Sequence, residues 1–167
     1  WLLKSNSWAE INLKMEAEKR GVPSERLIFA EKKPHTEHLA RHRLADLFID
    51  TFNVNAHTTT SDALWAGLPV VTKLGHSFAA RVAGSLLTAI DMPELITETE
   101  QEYESLIIDL ATNPNRLAKI KQKLASNLFS KPLFNTELFT KHLEDGYERA
   151  FRLYLDSKEP EAIYVPK

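Results

Sequence analysis

The sequence has no cysteine in its 167 residues, which excludes a disulfide framework and any thiolate metal site and permits a reducing compartment. It has no apolar run near the ~20 residues that cross a bilayer, and no signal-peptide pattern, so the expected compartment is the cytoplasm. Excess charge of one sign is missing too. Lys and Arg number 21 against 23 Asp and Glu, and the pI near 6.3 argues against a general nucleic-acid binder, which needs a clustered positive field. Glycine is scarce, at five residues, with no G-x-G-x-x-G and no Walker sequence, which disfavours nicotinamide-cofactor and P-loop chemistry. A serine nucleophile elbow is absent as well. What is present is an ordinary globular composition, 43% hydrophobic and 26% charged, at a length that fits one domain with a real core. The chain starts at Trp1, inside a stretch that reads as a strand, so residues 1–167 are expected to be the C-terminal piece of a longer protein.

The order of elements follows from periodicity and punctuation. WLLK reads as a short buried strand. A helix follows, capped by Asn6 or Ser7, with Trp8, Ile11 and Met15 on one face and Gly21 as its end. A strand from Arg26 stops at Pro34, and HTEHLARHRLAD makes a short helix. Leu47 to Thr51 is a third strand, Thr59 to Ala66 a helix closed by Gly67, and PVVTK from Pro69 a fourth strand. Beyond Gly75 comes the small-residue helix SFAARVAGSLLTAI, then a short fifth strand at Leu95 to Thr97. Three amphipathic helices follow, with start signals at Thr99, at Asn113 before Pro114, and at Asn135 or Thr136, and the tail EPEAIYVPK is irregular. Alternating strands and helices predict an α/β fold, a Rossmann-like parallel sheet with helices on both faces and a helical C-terminal end.

The stretch LADLFIDTFNVNAHTTTSDALWAGLPVVT holds the densest set of ligand-type side chains: Asn55, His57, Thr58, Thr59, Thr60, Ser61 and Asp62. They lie where a strand hands over to a helix. Unpaired first-turn N–H groups and the helix dipole make residues 58–60 a phosphate-accepting start. A capping threonine with Asp62 complementing the dipole is the plainer reading, but capping accounts for one threonine and not for a run of hydroxyls behind a histidine. In parallel α/β sheets ligands bind beyond the carboxyl ends of the strands, and His35, His38, His57 and His76 fall in or just after those loops. His38 and His42 are four apart, yet neighbouring Glu37 has the wrong spacing for a zinc motif, so no metal is expected. Lys32, Lys33 and Arg41 could receive an anion or a base edge, or form a solvated basic rim. A nucleotide uses all of these: base at His38 and Arg41, phosphates at Thr58 and Thr59, ribose hydroxyls at Asp62.

PHTEHLARHRLADLFIDT, NAHTTTSDALWAGLPVVT, SFAARVAGSLL and KPLFNTELF resemble successive blocks in the C-terminal lobe of protein O-linked N-acetylglucosamine transferases, including the bacterial members and the plant SPINDLY proteins. The resemblance covers almost the whole chain in order. It implies the second, donor-binding lobe of a two-lobed GT-B glycosyltransferase, which would pass a sugar, N-acetylglucosamine foremost, from a UDP-sugar to Ser or Thr of proteins, with inversion and without a metal. By the same resemblance His38 and Arg41 hold the uracil, Thr58 and Thr59 grip the diphosphate, Asp62 bonds the ribose, and His57 sits by the phosphates and sugar. Lys33 and His35 complete the donor-side set, although the animal enzymes carry lysine where His35 stands and glycine where Ala56 and Thr60 stand.

No catalytic base is expected in this stretch. The acceptor-binding lobe and the tetratricopeptide repeats that select protein substrates would lie outside it, and the UDP-sugar is a substrate rather than a cofactor. The last helix, Thr136 to Asp156, carries more apolar residues than burial on one sheet requires, so homo-oligomerisation through it is expected. Two further readings are a half of a GT-B-like sugar-nucleotide epimerase and a non-catalytic nucleotide-binding module.

Overall fold

Capping side chains and left-handed glycines set the element ends in the computed structural model, which describes residues 1–165. Pro166 and Lys167, the end of the tail read as irregular, lie outside the described residues. The chain divides into two compact units, Trp1–Leu44 and Ala45–Lys167.

In Trp1–Leu44, β1 (Leu2–Leu3) pairs in parallel with β2 (Phe29–Ala30), Leu2 opposite Phe29 and Leu3 opposite Ala30. Between them runs α1 (Ser7–Lys19), whose cap is Asn6: its side chain accepts from the Ala9 amide at 2.8 Å. Gly21 ends α1 at φ +77°, a conformation that favours glycine. The second strand is shorter than its apolar run predicts, because Ser24–Arg26 form a 3-10 turn before it. α2 (His35–Arg41) follows Pro34 and continues as a 3-10 turn, His42–Leu44. The expectation of a buried first strand is corrected: Leu2 is 40% and Leu3 60% exposed. Trp8, Ile11 and Met15 are exposed too, and His42 is the one buried residue of this unit. A two-stranded sheet and two short helices are too few to enclose a core of their own.

Ala45–Lys167 does have a core. β3 (Phe48–Ile49), β4 (Val70–Lys73) and β5 (Ile96–Thr97) form a parallel sheet in that order, Ile49 opposite Val71 and Thr72 opposite Ile96. Central β4 buries Val70, Val71 and Thr72 completely, as a strand flanked on both edges and covered on its faces must. Ala63 and Leu64 from α3 (Thr58–Trp65), Leu87 from α4 (Val82–Ala89), Leu110 from α5 (Glu100–Thr112) and Leu124 from α6 (Pro114–Asn127) close over it. Gly67 ends α3 at φ +80°. Thr99 and Glu102 form the capping box that starts α5, and Asn113 and Asn135 cap α6 and α7 (Thr136–Leu155). Asn127 ties α6 to the end of α4, donating to the Ile90 carbonyl at 2.9 Å. No residue of α7 is buried, and no helix among the described residues is long and apolar enough to cross a membrane.

Candidate functional site

Beyond the carboxyl end of β3 the chain makes a tight turn, residues 51–57, that delivers it into α3. Asp50, immediately after the strand, is 3% exposed, and its carboxylate meets three donors. Oδ1 accepts from the amides of Thr51 at 2.8 Å and Ala56 at 2.7 Å, and Oδ2 accepts from the Thr72 hydroxyl at 2.6 Å. The Thr51 hydroxyl donates to the Val54 carbonyl, and Asn55 Nδ2 to the Thr51 carbonyl. Asn55 is therefore a structural residue of the turn rather than a ligand side chain. Its Oδ1 is buried and has no hydrogen-bond partner among the described residues.

His57 occupies the cap position of α3 but gives no side-chain cap bond; its backbone stands at φ −99°, ψ −91°. Its Nε2 lies 3.2 Å from the Ala79 carbonyl, which also accepts the Asn55 amide at 2.8 Å, so the 75–81 loop is fastened against the turn. Exposed Phe78 meets the His57 ring edge-on at 6.0 Å.

The hydroxyl run divides by helix face. Thr60 is fully buried and donates to the Ala56 carbonyl at 2.7 Å, while its amide bonds the His57 carbonyl at 3.1 Å. The Ser61 amide bonds that same carbonyl at 3.2 Å. Thr60 is thereby removed from the phosphate-accepting set that spacing predicts. Thr58 and Thr59 are exposed, and neither their amides nor their hydroxyls have a hydrogen-bond partner among the described residues. Neither caps the helix, which overturns the plainer reading of the run. Asp62 lies in the second turn, beyond the strongest part of the dipole, and one turn along the same face from Thr58.

In Trp1–Leu44 the expected base-reading residues are neighbours. Arg41 donates from one terminal nitrogen to the Glu31 carbonyl and from the other to His38 Nδ1, each at 2.8 Å, and its guanidinium lies over the Trp1 ring. A guanidinium cannot accept, so His38 Nδ1 is unprotonated and the neutral ring carries its proton on Nε2. His42 turns Nδ1 to the His38 carbonyl at 2.7 Å, so the i, i+4 histidine pair is held by the backbone. Lys33 is paired with Glu37 at 3.6 Å, and His35 is the first residue of α2. Asp50 is the residue that sequence reasoning missed; an Asp ending a strand ahead of a polar loop was its one available signal.

The sequence pattern of Glycosyl transferase family 41 matches residues 1–143. The chain is 34% identical over 99% of its length to the probable UDP-N-acetylglucosamine–peptide N-acetylglucosaminyltransferase SEC of Arabidopsis thaliana. It is 35% identical over 92% of its length to the UDP-N-acetylglucosamine–peptide N-acetylglucosaminyltransferase of Caenorhabditis elegans. It spans 17% and 13% of the lengths of these two relatives. Among solved structures, a mutant O-GlcNAc transferase of Thermobaculum terrenum superposes with a TM-score of 0.82 at 34% identity, covering 88% of this chain and 28% of that one. Parallel sheets with covering helices and a helical C-terminal end agree with that likeness, and the chain belongs to glycosyl transferase family 41.

Proposed function

We propose that this chain is the donor-binding lobe of an inverting glycosyltransferase that passes N-acetylglucosamine from a UDP-sugar to Ser or Thr of protein acceptors. The observation that carries the reading is the start of α3, where exposed Thr58 and Thr59 present unbonded amides and hydroxyls together. The names of the relatives support the donor, the sugar and the peptide acceptor. As the glycosidic bond breaks, negative charge grows on the departing nucleoside diphosphate. Donors already fixed at a helix start stabilise that charge without reorganising, which is this lobe's share of catalysis. Asp62, one turn further along the face, would accept from the ribose hydroxyls, and His57 would stand by the phosphates and sugar. In Trp1–Leu44, His38 with its proton on Nε2 and Arg41 are the proposed uracil contacts, with Lys33 and His35 beside them in sequence. No metal or cofactor enters this scheme, no residue here is assigned as catalytic base, and a cytoplasmic location is part of the proposal.

Removing either hydroxyl tests the reading, because neither supports the fold. Thr58→Ala and Thr59→Ala in the full-length protein should each weaken UDP binding by about 1.5–3 kcal/mol, roughly ten- to a hundredfold, with the melting temperature unchanged. Affinity equal to that of the native protein in both variants would contradict diphosphate contact by the two hydroxyls.

A further inference from the structure

Three hydrogen bonds converge on a buried carboxylate that no ligand contact in the proposed function uses. Asp50 is held from every side: its amide bonds the Val71 carbonyl at 3.1 Å, and the Tyr103 hydroxyl donates to its carbonyl. Its Oδ2 takes the hydroxyl of fully buried Thr72, whose own carbonyl accepts from Thr97 at 3.0 Å. The side chain is thus anchored to β4 and through it to β5. Oδ1, by contrast, faces the turn and takes the amide of Ala56.

That last bond fixes which amides are available to a ligand. At residue 56 the N–H is consumed by Asp50 and the carbonyl by the Thr60 hydroxyl, so the peptide groups on either side of Ala56 cannot rotate. The next two amides spoken for are those of Thr60 and Ser61, both on the His57 carbonyl. The amides of His57, Thr58 and Thr59 remain, the latter two opening α3 at the end of a turn whose entry is pinned to the sheet. We infer that Asp50 is a positioning residue for the donor diphosphate: it touches no ligand, and by holding the Ala56 amide it aims the Thr58 and Thr59 amides at the phosphates. This inference rests on the donor reading of α3. An acceptor-only side chain suits the task, because all three groups that face it are donors.

The test is residue-resolved amide hydrogen exchange on the full-length protein with and without UDP, joined to two variants. In the unliganded native protein the Ala56 amide should already be protected, whereas Thr58 and Thr59 should exchange rapidly and slow when UDP is added. Asp50→Ala should expose the Ala56 amide and weaken UDP binding at least tenfold. Asp50→Asn, which keeps Oδ1 for the amides and sets Nδ2 against Thr72 Oγ1, should restore both to within about threefold. Leu124→Ala, a core cavity on α6, serves as the control for lost stability and should leave UDP affinity unchanged. An Ala56 amide that exchanges freely without UDP would overturn the inference even if Asp50→Ala fails to fold. So would native-like UDP affinity in Asp50→Ala, no rescue by Asn, or an equal loss in Leu124→Ala. Absence of UDP binding by the native protein would instead overturn the donor reading itself.

Discussion

Asp62 shows how position within a helix separates a structural acid from a binding one. As a second-turn residue it has less of the dipole stabilisation, ~0.3–1 kcal/mol, that a first-turn acid receives, whereas a charged acceptor of ribose hydroxyls is worth ~1.5–3 kcal/mol. Asp62→Ala should therefore weaken UDP binding about tenfold or more while lowering stability by less than about 1 kcal/mol, measured by calorimetric titration and thermal melting of the same preparation. A collapsed melting temperature with native affinity would make Asp62 structural. That a polar run behind His57 opens a helix directly after a strand was legible, because apolar strands flank it and Gly67 ends it. Which hydroxyls face out was not legible. Thr58, Thr59 and Thr60 are chemically alike, and the rotation of α3 that buries the third is set by Ala63 and Leu64 packing on β4. Asp50 stayed hidden because a strand-end Asp reads as a solvated turn residue until Ala56 and Thr72 are seen around it.

Between elements, the tie from α5 to the end of β3 is the Tyr103 hydroxyl bonded to the Asp50 carbonyl. Burial, with the Asp50 charge adding to it, pushes the Tyr103 phenol up from 10.0 to about 12. An unfolded tyrosine ionises near 10, so between about pH 10 and 12 the unfolded state releases this proton first and the folded state loses stability as pH rises. Below pH 10 the phenol is protonated in both states and its contribution is complete. Tyr103→Phe should remove that alkaline decline, so its melting temperature should fall less steeply than that of the native protein above pH 10; parallel curves would dissociate Tyr103 from the effect. Helix starts were the elements most readable from sequence, since Thr99, Asn113 and Asn135 each bond the N3 amide that capping chemistry requires. Strand lengths were less readable. An apolar run such as the one from Arg26 does not say how many of its residues will find a ladder partner, and here two do.

At the scale of the molecule, apolar surface is distributed unevenly. On α7, Phe139, Leu143, Tyr147, Phe151 and Tyr154 repeat at three- to four-residue spacing and are all exposed, with Phe151 stacked on Tyr154. At ~25 cal/mol per Å², covering a few hundred Å² of such surface is worth several kcal/mol, enough to drive association. The 167-residue chain alone should self-associate in sedimentation velocity, and Tyr147→Lys with Phe151→Lys should leave it monomeric; a native chain that stays monomeric at high concentration would contradict this. The excess apolar width of this helix was visible in the sequence, whereas the near absence of burial in Trp1–Leu44 was not, because Trp8, Ile11 and Met15 read as an ordinary core face.

Nucleotide binding by the full-length protein is the property on which the role of α3 depends most directly. Calorimetric titration with UDP, GDP and ADP under one buffer and salt condition measures the diphosphate contribution, which the three share, and the base contribution, in which they differ. Measurable affinity for all three with UDP clearly the tightest is the predicted result. No binding by any of them would contradict the donor-binding assignment of α3, and equal affinity for all three would contradict base reading by His38 and Arg41.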